Sequence, residues 1–160
     1  MKDLWIVNSQ KVTLVDDDIY EQLTKHRWRF DGNGYIVRQG KVYEGDMYKK
    51  TISLHREVMG FSDSMIDHID GDVLNNTRSN LRPCNKSTNS MNSSKQKRET
   101  SSKYKGVSLF KRTNKYSAYI KKNGKRRHLG YFLTEDEAAM AYNSAAKELF
   151  GEFARLNEVL

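Results

Sequence analysis

Between Asn92 and Ser102 the chain carries only Ser, Asn, Lys, Gln, Arg, Glu and Thr, and this polar break constrains the fold more than any other stretch. Such side chains cannot anchor a core, and their charge favours an extended connection. A chain of 160 residues could form one medium domain or two small ones, and an interruption of this kind points to two. The divisions read as residues 1–92, a basic flexible linker over 93–102, and residues 103–160.

Charge follows the same division. The formal net charge is +8, but from Ser93 to His128 there are 13 Lys or Arg against Glu99 alone, so that segment is +12 and the remainder −4. One strongly basic unit favours a polyanionic partner, nucleic acid above all, over an acidic protein surface. Cys84 is the only cysteine, which rules out an intrachain disulfide framework and an all-cysteine zinc site. No structural zinc is expected, and a reducing compartment is the simplest setting. No apolar run approaches the roughly 20 residues that span a bilayer, and Met1-Lys2-Asp3 has no signal-peptide pattern. The expectation is a soluble protein working inside a cell, with no membrane partner and no obligatory protein partner.

From Leu4 to about Gly60, short β-branched and aromatic segments are separated by Asp31-Gly32, Asn33-Gly34 and Gly45-Asp46, which are strand and turn signals. The segments are Trp5-Ile6-Val7, Lys11 to Val15, Trp28-Arg29-Phe30, Gly34 to Arg38 and Thr51 to Leu54. One short helix is expected within Asp16 to Lys25, where Asp16 or Asp17 would cap and Ile19, Tyr20 and Leu23 share a face. Trp5, Trp28, Phe30 and Tyr35 are expected in the core.

The last third has the clearest local signals. Gly106 to Phe110, Tyr116 to Lys121 and Arg126 to Phe132 read as three strands, with turns at Asn114 and at Asn123-Gly124, the latter a strong hairpin pair. Thr134-Glu135-Asp136-Glu137 is a capping box, Ala138, Ala141, Tyr142, Ala145 and Leu149 recur at helical spacing, and Gly151 supplies the stop. Period-two alternation sends Ser117, Tyr119 and Lys121 to one face and Ala118 and Ile120 to the other, against the alanines of the helix.

The residues Tyr104-Lys105-Gly106-Val107, Tyr116 to Ile120, Leu129-Gly130-Tyr131-Phe132 running on to Tyr142, and Leu156-Asn157 resemble the plant ethylene-response-factor type DNA-binding domain. In that family the three-stranded sheet enters the major groove. The resemblance implies DNA-facing positions at Lys105, Gly106, Ser108, Phe110, Tyr119, Lys121, Arg126 and His128. This chain has Ser108 and His128 where the plant factors place Arg or Trp, and Tyr119 where they carry an acid. Fewer guanidinium forks imply less bidentate reading of guanine.

The acidic and amide-rich stretch from Asp67 to Arg82 concentrates carboxylates, an imidazole and carboxamides in an otherwise basic chain. Those are the groups that hydrolysis of a phosphodiester with a hard cation requires: an imidazole with a pKa near 6.5 takes a proton from water, and a divalent ion offsets charge on the leaving oxygen. Asp70-Gly71-Asp72 reads as an ordinary acidic turn, because calcium-loop spacing is missing, and Asn75 and Asn76 read as caps of the loop. If the segment from Asn85 to Ser93 is helical, Asn85, Asn89 and Asn92 share one stripe, and spacing does not choose among them. In a regular strand Asp67 and His68 would point to opposite faces, so a bulge or strand end is expected there.

Leu54-His55-Arg56, Asp67-His68-Ile69-Asp70-Gly71-Asp72, Asn75-Asn76, Asn80-Leu81-Arg82 and Asn89 together resemble the HNH endonucleases, specifically the phage and intron-encoded homing type. The resemblance covers about His55 to Asn92, with the core of the motif at 54–92, and a sheet-type DNA-binding domain downstream is itself an arrangement of that family. It implies two strands and a helix clasping one metal ion. His68 would be the general base, Asp67 and Asn89 the metal ligands, Asn80 the residue that fixes the loop and orients His68, and His55 a support beneath the site. The ligands are oxygen atoms, which suits Mg²⁺ or Mn²⁺. The expected fold class is α+β: a β-rich N-terminal unit leading into the ββα-metal fold, the linker, and a three-stranded antiparallel sheet on one helix. The expected function is metal-dependent hydrolysis of duplex DNA, in the cytoplasm of a bacterial cell and phage-encoded. A DNA-binding regulator with an inactive nuclease motif is the alternative, and an RNA-directed nuclease shares the same basic surface.

Overall fold

The structure is a computed structural model that describes residues 1–40, 50–61, 64–93 and 100–159. The expected turn at Gly45-Asp46 and the linker stretch 94–99 lie outside the described residues. The fold mixes α and β, with several small sheets and four α-helices among the described residues. The chain divides into two compact units, Met1–Asn85 and Lys86–Leu160. No helix among the described residues is long and apolar enough to cross a membrane.

In the first unit β1 (Lys2–Trp5) pairs antiparallel with β2 (Val12–Val15), Lys2 opposite Val15. Alternation places Leu4 and Val15 in the core and leaves Trp5 66% exposed, so the expectation of a core Trp5 fails on strand phase. Tyr35 is exposed as well, whereas Trp28 is fully buried and donates its indole N–H to the Leu23 carbonyl at 2.9 Å. Helix α1 (Asp17–Leu23) starts after Asp16, but the Asp16 carboxylate accepts from the Arg78 backbone N–H at 2.8 Å instead of capping the helix. Strands β3 (Arg29–Phe30), β4 (Ile36–Gln39) and β5 (Thr51–Ser53) form a sheet in that order, and α2 (Leu54–Val58) follows directly. Leu54 is thus the first residue of a helix and not the end of a strand. The core gathers Leu4, Ile6, Val15, Leu23, Trp28, Ile36, Leu54, Val58 and Leu81.

Strands β6 (Met65–His68) and β7 (Leu81–Cys84) form a separate antiparallel pair, joined by a loop that ends in a 3-10 turn at Arg78–Asn80. That loop docks on the free edge of β2: Leu14 N–H donates to the Leu74 carbonyl at 2.8 Å and Asn76 N–H to the Leu14 carbonyl at 2.9 Å. Backbone bonds to a strand edge give the loop a fixed seat, and Leu74 packs against the core beside them.

The second unit begins with α3 (Lys86–Asn92) and continues with β8 (Val107–Phe110), β9 (Lys115–Lys122) and β10 (Lys125–Phe132), a meander in the order β10-β9-β8. Asn123 and Gly124, at φ 51° and 78°, make the tight β9–β10 turn that the Asn-Gly pair predicts. Helix α4 (Glu135–Phe150) starts on a complete capping box between Thr134 and Glu137 and ends at Gly151. Ala138, Ala139, Tyr142, Ala145, Ala146 and Phe150 are buried against Val107, Ala118 and Ile120. Of the linker's last residues, Ser101 Oγ accepts from the Leu109 N–H at 3.0 Å and Ser102 is buried.

Candidate active site and nucleic-acid face

Asp67 and His68 close β6 in regular register, Asp67 opposite Arg82 and His68 opposite Leu81. The strand ends at His68, with no bulge at Asp67, and the two side chains meet different partners. Asp67 is buried, and its Oδ2 accepts from Arg82 Nε at 3.3 Å and Nη2 at 3.1 Å. His68 is 6% exposed; its ring stands edge-on to His55, centroids 5.5 Å apart, and its Nε2 lies 3.2 Å from Asn76 Oδ1. His55 projects from α2 and also meets Tyr35 edge-on at 5.6 Å. Burial, and then the nearby His68 and Arg56, push the His55 pKa down to about 4, so it is neutral near pH 7.

Asn80 holds the loop. Its amide N–H groups donate to Asp70 Oδ1 at 2.9 Å and to the Asn75 carbonyl at 2.8 Å, its Oδ1 accepts from Asp70 N–H at 3.1 Å, and its carbonyl accepts from Ile69 N–H at 2.8 Å. These bonds fix the backbone on both sides of the turn. Asp70-Gly71-Asp72 is the acidic turn expected: Asp70 Oδ1 accepts from Asp72 N–H, Asp72 Oδ1 from Leu74 N–H, and Gly71 sits at φ 74°. Burial raises the Asp70 pKa, but the Asp72 N–H and the Asn80 and Asn75 amides outweigh it, and the net shift is downward. Arg82 and Asn76 stand in the motif, but the motif does not give them the contacts they make here, to Asp67 and His68. The Arg82 contact comes from the β6–β7 register, and the Asn76 contact from the docking of the loop on β2.

The resemblance implies the Asp67 carboxylate, in the first unit, and the Asn89 carboxamide, in the second, as donors to a cation. Both offer oxygen, which fits a hard divalent ion that draws the rest of its shell from water and phosphate. Among the described residues there is no group of three or more His, Cys, Asp and Glu side chains that could hold a metal by themselves. Asp67 Oδ2 is already engaged by Arg82, so a cation at Asp67 shares the carboxylate with a guanidinium. Asn89 lies in α3 and is half-buried; on the same helix Asn92 is buried, while Asn85, just before it, is exposed.

In the second unit the face of the sheet away from α4 carries Ser108, Phe110, Tyr119, Lys121, Arg126 and His128. The Arg126 guanidinium lies 3.6 Å from the Tyr119 ring centroid, and His128 Nε2 is 3.1 Å from Ser117 Oγ. Tyr131 joins them, 51% exposed, its ring 4.7 Å from His128 and 5.2 Å from Phe110. Simple alternation from Arg126 and His128 would bring position 130 outward. An irregularity between His128 and Gly130, with Gly130 at φ 138°, shifts the phase by one and turns Tyr131 out instead. Lys105 and Gly106 sit at the edge and are held inward. Lys105 Nζ donates to the Met91 carbonyl at 2.8 Å and the Ser93 carbonyl at 2.5 Å, at the C-terminal end of α3. Burial, then Arg155, pushes the Lys105 pKa down to about 8.

No family model matches this chain, and no solved structure does. Its last part is similar to an AP2-like ethylene-responsive transcription factor of Arabidopsis thaliana, 40% identical over 63 residues, or 39% of this chain and 13% of that protein. Over most of its length it is similar to an uncharacterised HNH endonuclease of Acanthamoeba polyphaga mimivirus, 38% identical over 144 residues, 89% of this chain and 72% of the relative. With an Asp-His pair closing one strand, an asparagine-tied loop leading to the next, and this extent of similarity, the chain belongs to the HNH endonuclease family.

Proposed function

We propose that the protein hydrolyses phosphodiester bonds in duplex DNA, with His68 as general base and a divalent cation, Mg²⁺ or Mn²⁺, held by Asp67 and Asn89. Bound there, the cation stabilises negative charge on the leaving oxygen. His68 takes the proton of the attacking water, a role worth about 10²–10⁴-fold in rate. Asn80 keeps the turn after His68 in place through Asp70, Asn75 and Ile69. His55 supports the imidazole from α2 and, being neutral, puts no positive charge beside a base that has to accept a proton. The basic sheet binds the duplex in its major groove through Ser108, Phe110, Tyr119, Lys121, Arg126 and His128, with Lys105 and Gly106 at the edge, and so raises the local concentration of the nuclease at its target.

The observation that carries this reading is the buried His68 imidazole at the end of β6, next in sequence to a buried Asp67, in a chain of the HNH endonuclease family. The test is plasmid cleavage by purified protein with Mg²⁺, with Mn²⁺ and with chelator. Cleavage is expected only with metal, and His68→Ala should abolish it while keeping gel-shift affinity. The Arg82 guanidinium on Asp67 favours the second reading, a DNA-binding regulator with an inactive nuclease motif. Wild type and His68→Ala that bind alike and both leave DNA intact in every metal would establish that reading instead. Competition between duplex DNA and RNA separates the two nucleic acids as partners.

A further inference from the structure

We infer that the rings of Phe110, His128 and Tyr131 on the outer face of the C-terminal sheet form a stacking platform for unpaired bases of single-stranded DNA, a partner beyond the duplex proposed above for the same face.

The platform follows from the strand register. β9 lies between β8 and β10, and Ser117 on it stands opposite Ser108 on one side and Tyr131 on the other, so rings of the two outer strands meet across a small residue. The Tyr131 ring lies 5.2 Å from Phe110 and 4.7 Å from His128, tilted by 43° and 54°, and neither neighbour lies flat against it. The His128 ring is held in turn, its Nε2 3.1 Å from Oγ of the buried Ser117. Tyr131 stays 51% exposed, and it faces outward only because the strand slips between His128 and Gly130. A large ring is thus left in water beside other rings, and clustered exposed apolar surface of this kind marks a binding site, where single scattered residues do not.

What such a face can hold depends on what each form of nucleic acid offers. In the major groove of a duplex the bases present only their edges, which forked donors and acceptors read. Phe110 and Tyr131 have no fork to offer there, and the Arg126 guanidinium lies 3.6 Å from the Tyr119 ring centroid. Unpaired bases present flat faces, and aromatic rings stack on any of them. The phosphates find partners too. Arg112 lies 5.7 Å from the Phe110 ring, and Lys115, opposite Phe110 in the β8–β9 register, is exposed, as are Lys121 and Arg126 on the same sheet. Rings flanked by cations supply both elements of a single-strand site, a surface for bases and a track for the backbone. Such a face would hold a frayed or displaced strand next to duplex.

The test uses the full chain in chelator, so cleavage plays no part and the nuclease reading stands or falls separately. A fluorescent DNA strand of about 12 nucleotides, within the range that single-strand sites cover, is compared by anisotropy with an abasic strand of the same length, which keeps the phosphates and lacks the bases. Wild type should bind the strand with bases at least about fivefold more tightly. Tyr131→Ala should lose about 5–150-fold of that affinity, the usual cost of one stacked base, while Tyr131→Phe, which keeps the ring, retains it. The loss should be smaller on a duplex of the same length, whose base faces are covered. Equal wild-type affinity for the two strands overturns the inference, as does an equal loss on strand and duplex, or no loss in Tyr131→Ala. Should Tyr131→Ala fail to fold, the abasic comparison in wild type and photocrosslinking of a bromouracil-substituted strand still decide. Crosslinks at Phe110, His128 or Tyr131 support the platform, and crosslinks confined to residues outside the sheet exclude it. Tighter binding of the RNA strand of the same sequence would overturn DNA as the partner.

Discussion

Replacing Gly106 by alanine should destabilise the C-terminal unit and leave the N-terminal unit untouched. Gly106 has φ +75°, and a Cβ built there would lie 2.5 Å from Tyr142 Cε2 and 2.6 Å from the Tyr119 carbonyl oxygen. Neither neighbour can retreat cheaply. Tyr142 is buried beside Ile120, Ala145, Ala146 and Phe150, and Tyr119 belongs to the central strand, where its N–H donates to the Gly106 carbonyl at 2.8 Å. The left-handed backbone costs an alanine about 1–2 kcal/mol, and forcing a methyl into a packed core about 1–3 kcal/mol more. A total of about 2–5 kcal/mol is a large part of the stability of a small domain. The assay exploits the placement of the chromophores: Trp5 and Trp28 are the only tryptophans, both in the first unit, whereas α4, the longest helix among the described residues, is in the second. In urea, the tryptophan transition of Gly106→Ala should overlay wild type while the far-UV circular dichroism transition moves to lower denaturant. A circular dichroism midpoint equal to wild type would refute the steric reasoning, because it would mean that Tyr142 or β9 gives way at no cost.

Two other perturbations test the first unit. Arg82→Ala leaves the buried Asp67 carboxylate without its guanidinium and should cost about 3–5 kcal/mol, read as a lower tryptophan midpoint in urea, with Arg82→Lys recovering part of the loss. His55, held near 4 when folded against 6.5 when unfolded, binds protons more readily in the unfolded chain. Its contribution is fully present above about pH 6.5 and is lost as the pH falls to about 4. The shift corresponds to roughly 3 kcal/mol, discounted to about 1–2 kcal/mol for partial exposure. Urea midpoints of wild type and His55→Gln at pH 7 and pH 5 should therefore show a steeper acid loss in wild type; equal losses would place the acid sensitivity elsewhere.

Features written in consecutive residues are legible in the sequence itself. Asn123-Gly124 makes its turn and Thr134 to Glu137 its capping box because their hydrogen bonds and backbone angles are satisfied within a few positions. Strand phase was less secure. Trp5 faces solvent because β1 starts at Lys2, and Tyr131 faces outward because the strand slips between His128 and Gly130. The Asp-His pair stands out in the motif, but the partners of each side chain do not. Arg82 reaches Asp67 only through the β6–β7 register, and Asn76 reaches His68 only because the loop lies on β2.

The sequence alone points to a division of the chain, to a charge asymmetry suited to a polyanion, and to the residue types of the HNH motif. Tertiary structure decided which carboxylate oxygen meets a guanidinium, which tyrosine joins the exposed sheet, and which side chain stands beside His68 Nε2. The reason is that composition and local conformational preference act over a few neighbouring residues. A hydrogen bond between Thr13 and Asn76 exists only once the backbone has brought two distant segments to within 3 Å of one another.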